Sequence, residues 1–230
     1  MMNDTVKIKQ IIEDSVKEYY RVRGKHYTRE YSWNLCYEEF YNIRQQKIEI
    51  IDEKTTADLA RELAAYLASF GMYRNSILLD VNYRFYERFI PILFMDDYLC
   101  LDNDPSEHID IILKLFSHIK ETLESIREEY GLDRNVTDTL VSKIILGVYG
   151  CVVAYDTKVI ASLKAMKKYR EMHTGFCEPS VIELYDFYKE MDIHSYFKGE
   201  EMLTPMREMD IVLWFAKWED ESQSEAITHG

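Results

Sequence analysis

Residues 137–159 read TDTLVSKIILGVYGCVVAYDTKV, and within them Ile144 to Tyr155 is the longest run in the chain without a charged side chain. A membrane span needs about 20 apolar residues. This run is shorter and is broken by Gly147 and Gly150, so it reads as protein core. Asp133 or Thr137 opens a compact apolar helix carrying Leu140, Val141, Ile144, Ile145 and Val148 and ending near Gly150. Tyr155-Asp156-Thr157 then starts another helix, running to about His173. At that start, Asp156 occupies the N-cap position, where a carboxylate is stabilised by free backbone N–H groups and by the helix dipole.

The flanking sequence supplies helices to surround this centre. Upstream, periodic apolar residues predict helices over Thr5 to Tyr20, with Asp4 as cap, and over Tyr31 to Gln46. Ile48 to Ile51 reads as a short extended piece. A helix over Ala57 to Phe70 follows, capped by Thr55 or Thr56 and stopped by Gly71 in a left-handed conformation. Another spans about Asp80 to Tyr98, where Pro91 should kink or split it. Asp104-Pro105 starts the next, which ends at Gly131. Downstream, Ser180-Val181-Ile182-Glu183 matches a capping box, and Thr204-Pro205 opens a last helix to about Trp218.

Composition agrees with this pattern. Eight glycines and four prolines in 230 residues are less than half the average share of roughly 12%, too little turn material for a sandwich or barrel. The expectation is an all-α single domain over residues 1–218, of about nine or ten helices, with any division into two lobes near 100–105. The segment 219–230, EDESQSEAITHG, reads as an acidic flexible tail. No apolar signal stretch opens the chain, which points to the cytoplasm and away from membranes. Cys36, Cys100, Cys151 and Cys177 are widely spaced among apolar neighbours and read as four buried thiols.

A formal charge of −13 repels phosphate backbones over most of the surface, so nucleic acid is admitted only at a local basic patch. Residues 21–29, RVRGKHYTR, are that patch: Arg21, Arg23, Lys25 and Arg29 without an acid, followed by Tyr31 and Trp33. Cations interleaved with rings suit a single strand; a solvated loop pairing with the surrounding acids is the plainer account. Arg74, at a junction of apolar helices beside Tyr73, needs either a partner carboxylate or a bound anion. Asp156 is a candidate catalytic carboxylate or only a cap. The histidines form no metal-ligand spacing, and glycine-rich phosphate loops and nucleophile elbows are absent, so no metal and no cofactor is expected.

Tyr31-Ser32-Trp33 with Cys36-Tyr37 and Phe40, the block Tyr66 to Leu79, and Tyr155-Asp156 together resemble a family of uncharacterised bacterial proteins of about this length. The resemblance implies a bacterial or mobile-element source and draws attention to Trp33, Arg74 and Asp156. Thr137 to Val159 is also similar to the helix-hairpin-helix DNA glycosylases, and places Asp156 where that family has its catalytic carboxylate. The chain departs from that family at Asp133-Arg134-Asn135-Val136, which replace the phosphate-gripping glycines, and no lysine stands in the hairpin itself.

Two functional classes follow. One is a non-catalytic helical interaction or regulatory module that associates with itself or another protein, motivated by eighteen tyrosines and ten methionines on an acidic body. The other acts on a nucleotide or nucleic acid, with cations from Arg21 to Arg29 or Arg74 holding phosphate and Asp156 doing chemistry. The sequence does not decide whether the protein is an enzyme.

Overall fold

The computed structural model describes residues 2–23, 27–46, 51–74, 76–199 and 202–218, and all statements below concern these. At the centre lies the stretch just quoted. Helix α7 (Asp138–Val148) is capped by Thr137, whose side chain accepts a hydrogen bond from the Leu140 amide, and α8 (Thr157–Met166) is capped by Asp156. Between them, Gly150 to Tyr155 form a buried connection that is neither helix nor strand.

Buried backbone polar groups need partners, and here side chains supply them. Thr204 donates to the Gly150 carbonyl, Tyr185 to the Cys151 carbonyl and Thr139 to the Tyr155 carbonyl, while Asp210 accepts from the Ala154 amide and Ser142 from the Tyr155 amide. Removing the α7 cap with Thr137→Ala is expected to cost about 1 kcal/mol in urea unfolding. A change indistinguishable from zero would mean that packing alone holds this helix start.

Around this centre stand α1 (Met2–Arg23), α2 (Tyr31–Gln45), α3 (Glu53–Ser69), α4 (Arg84–Glu87), α5 (Asp96–Leu99), α6 (Ile109–Glu129), α9 (Glu178–Glu190) and α10 (Pro205–Phe215). No strand occurs among the described residues. Helix α2 packs on α3 and α7, α10 on α1, α8 and α9, and α6 on α7 and α9. One continuous buried cluster draws on all ten helices, giving an all-α domain. The 100–105 stretch, the expected place for any division into lobes, contributes Leu101 to that same core. Gly147 lets α3 and α7 approach closely: a Cβ there would lie 2.5 Å from the Tyr66 ring.

Several expected elements differ. The helix expected over Asp80 to Tyr98 is split into α4, a 3-10 turn over Ile90–Phe94 and α5, because Pro91 has no N–H to continue the ladder. Asp104 caps only a 3-10 turn, Pro105–Glu107, before α6 begins at Ile109. Helix α3 begins earlier than expected, capped by Asp52 through the Thr55 amide, and α8 ends well before His173. The capping box at Ser180 is not formed. Helix α9 starts at Glu178 after Cys177, the Ser180 hydroxyl is used by Tyr155, and Glu183 takes the His173 amide.

The α3 terminator Gly71 and the α6 terminator Gly131 are left-handed as expected. All four cysteines are free, but only Cys36 and Cys151 are buried, with Cys100 and Cys177 half-buried. The extended piece at 48–51 falls largely outside the described residues, and the 219–230 tail does so wholly. Among the described residues no helix is long and apolar enough to cross a membrane.

Candidate functional site

Asp156 stands where the buried centre meets the surface. Its Oδ1 accepts from the Lys158 and Val159 amides at 3.0 and 3.1 Å, the N-cap geometry read from the sequence. Its Oδ2 accepts from Lys143 Nζ at 2.9 Å and from the Trp214 indole N–H at 3.3 Å. Burial acts to raise its pKa. The Lys143 ammonium, with hydrogen bonds from Lys143, the Val159 amide and Trp214, outweighs burial and holds the carboxyl below its usual range. With four donors in place, Asp156 stays ionised and has little capacity to accept a further proton.

Behind this pair lies a second one. On α10, Arg207 Nη1 donates to Asp210 Oδ2 at 2.8 Å, and both side chains are almost fully buried. The guanidinium carbon lies 5.2 Å from the Trp33 ring centroid, and Lys143 Nζ lies 5.0 Å from that of Phe70. Burial pushes the Asp210 carboxyl up, opposed by Arg207 and Lys143. Two cations and two carboxylates thus form a neutral buried quartet, with the Arg207 Nε–H lacking an acceptor among the described residues.

In front of Asp156 a groove of about 770 Å³ opens between α1, the turn at 27–30, α8 and the end of α10. Arg29, Lys158 and Lys217 supply its cations, Glu18 and Glu30 its carboxylates, and Trp214, Phe215 and Trp218 its rings. Trp214 organises it. Lys158 Nζ lies 3.5 Å from its ring centroid and the Arg29 guanidinium carbon 4.4 Å. Such contacts orient a cation without neutralising it. Glu30 pairs with Arg29 and Glu18 with Arg21, whereas Lys158 and Lys217 have no ion-pair carboxylate among the described residues.

The expected basic patch is therefore divided. Arg29 reaches the groove, Arg21 is bound to Glu18 on exposed α1, Arg23 ends that helix with its side chain undescribed, and Lys25 lies outside the described residues. Arg74 is exposed and has no ion-pair carboxylate among the described residues, and no contact there joins it to Asp156.

Of the aromatic candidates, Trp33 and Tyr155 lie in the core and Tyr73 is half-buried. Trp33 is fully buried, stacks on Tyr37 and donates to the Leu146 carbonyl. Tyr73 is half-buried and shares a hydrogen bond with Tyr86, and buried Tyr155 shares one with Ser180. No group of three His, Cys, Asp or Glu side chains suited to a metal occurs among the described residues.

Lys143, Lys158, Arg207, Asp210 and Trp214 were not singled out by sequence reasoning. A signal was present for the first: Lys143 is the lone charge between Thr139 and Tyr155, and a lysine in so apolar a helix requires a buried partner. Compared with protein-family models, curated proteins and solved structures, the chain finds no match, and side-chain geometry is the ground on which a function can be assigned.

Proposed function

We propose that the protein binds a phosphate-bearing ligand, a nucleotide or a short single-stranded nucleic acid, in the groove built around Trp214. The observation that carries this reading is Lys158, with no ion-pair carboxylate among the described residues, beside Arg29, three large aromatic side chains and Lys217, which meets Glu18 only as a longer-range attraction, in a chain of net charge −13. Where acid is in such excess, cations left unpaired in a concave aromatic surface favour an anionic ligand. The groove lies within the 300–1,000 Å³ range of about the size that small-molecule sites occupy. Asp156 contributes by holding the Trp214 edge, and its saturated oxygens support a binding role over a catalytic one.

The reading as a protein-interaction module drew on the aromatic load. That load is largely taken up by the core, where Tyr19, Trp33, Tyr66, Tyr86, Tyr98, Tyr149 and Tyr155 are fully buried. The large exposed hydrophobics, among them Val6, Tyr27, Leu79 and Tyr130, sit on separate elements.

Fluorescence anisotropy with labelled oligothymidylate, and competition by mononucleotides, tests the proposal. Lys158→Glu combined with Lys217→Glu is expected to weaken binding roughly 30-fold or more, each phosphate contact being worth about 1 kcal/mol and reversal adding repulsion. If three cations meet phosphates, raising salt from about 50 to 200 mM should weaken wild-type binding about 20-fold. Wild-type protein that binds neither probe at low salt, or a double variant that binds as well as wild type, would remove the reading.

A further inference from the structure

The groove has a floor that its ligand does not reach. Lys143 is buried on α7, yet it is linked to the groove surface through two hydrogen bonds in series: Lys143 Nζ to Asp156 Oδ2 at 2.9 Å, and the Trp214 indole N–H to that same oxygen at 3.3 Å. The Trp214 ring in turn carries Lys158 and Arg29 against its π-system. We propose that Lys143 is a positioning residue for the groove: it fixes the Asp156 carboxylate, which fixes the edge of Trp214 and so the two cations packed on its ring. This inference rests on the groove being the binding site.

Three features support a positioning role beyond simple core packing. The Asp156 cap uses only Oδ1, so Lys143 is not needed to start α8. Among the described residues Asp156 is the one hydrogen-bond partner of the Lys143 ammonium, with the Phe70 ring beside it and Asp210 within electrostatic reach. Among the described residues Asp156 is also the only acceptor that Trp214 has. Removing Lys143 would leave the carboxylate with the Lys158 and Val159 amides and the Trp214 indole as donors, and with Asp210 from α10 and Tyr66 from α3 within electrostatic reach. Of these, Asp210 favours the protonated form.

The sign of the pH effect follows. A carboxylate held below its usual range keeps its charge as pH falls; one deprived of its nearest cation takes up a proton earlier, and the protonated group no longer holds the indole as firmly. Lys143→Met is therefore expected to bind oligothymidylate about tenfold more weakly, with a further loss between neutral pH and about pH 4 that wild type does not show. Lys143→Arg, which keeps the charge, should restore binding and flatten the profile.

Trp214→Phe gives the decisive comparison, because it removes the indole N–H and keeps a ring. In that background Lys143→Met should cause no further loss of affinity, the mark of residues acting in one chain. The ¹⁹F resonance of 5-fluorotryptophan at position 214 reads the same link without ligand: it should titrate with pH in Lys143→Met and stay fixed in wild type.

Wild-type binding with Lys143→Met equally tight and pH-independent overturns the inference and leaves the groove reading standing. Additive losses from Lys143→Met and Trp214→Phe also overturn it. Absence of any wild-type binding overturns the groove reading and this inference with it.

Discussion

Asp102→Ala is expected to destabilise the protein by about 3–5 kcal/mol, the cost of leaving a buried charge without its partner. Arg44, on α2, is wholly enclosed. Its Nε and Nη2 donate to the two Asp102 oxygens at 2.8 and 2.7 Å, and Nη2 also donates to the Val148 carbonyl at the end of α7. Its guanidinium carbon lies 4.2 Å from the Tyr149 ring centroid. The arginine thus ties α2, the turn at Cys100–Asp102 and the end of α7 together, and one Nη1 already lacks a partner.

At roughly 2–4 °C per kcal/mol for a chain of this size, the midpoint of thermal unfolding should fall by about 6–20 °C. Replacing the pair together, with Arg44→Met and Asp102→Leu, should cost clearly less than Asp102→Ala alone, because neither charge then remains buried. Equal losses from the single and double variants would mean that shape, not charge, governs this contact.

Gly150→Ala should be nearly as damaging, by about 2–5 kcal/mol, from two separate causes. Gly150 has φ +63°, a conformation that costs an L-residue about 1–2 kcal/mol. A Cβ would also lie 2.8 Å from Thr204 Cγ2, and closer still to Thr204 Oγ1, the atom that donates to the Gly150 carbonyl and accepts from the Arg207 amide. Displacing it adds an overpacking cost of about 1–3 kcal/mol. Thr204→Gly in the Gly150→Ala background separates the two. It should recover part of the loss in urea unfolding, the backbone cost remaining. Recovery to the level of Thr204→Gly alone would show that the backbone conformation carries no penalty here.

Much of the helical frame was legible because apolar periodicity and terminators act locally. Gly71 and Gly131 end helices as read, and Thr137, Asp156 and Thr204 cap them. The misread places are those where a distant partner competes for the same atoms. Ser180 and Glu183 have the spacing of a capping box, but Tyr155 and His173, far from them in the chain, take their side chains. Asp52 outcompetes Thr55 and Thr56 for the start of α3 because its carboxylate can turn back to the Thr55 amide.

The candidate site was legible at its edges. Arg29 belonged to the basic segment and Asp156 to a visible cap, whereas Trp214 sits in an apolar helix where a tryptophan reads as core. Tertiary packing alone brings positions 29, 158 and 214 together, and no local spacing could disclose it. Trp33 and Arg74 illustrate the converse, since attention drawn by resemblance fell on one residue that is core and another that faces solvent.

The buried connection from Gly150 to Tyr155 makes the fold's centre dependent on its periphery. Its backbone partners come from Thr139 and Ser142 on α7, Tyr185 on α9, Asp210 on α10 and Thr204 before α10. The bonds from Thr139 and Ser142 come from the adjoining α7, whereas those to the Gly150 and Cys151 carbonyls and the Ala154 amide exist only when α9 and α10 are docked. The most apolar part of the sequence is therefore the part least able to fold by itself. Losing either α9 or α10 would strand polar backbone groups in the middle of the protein, which makes α7, α9 and α10 one cooperative unit.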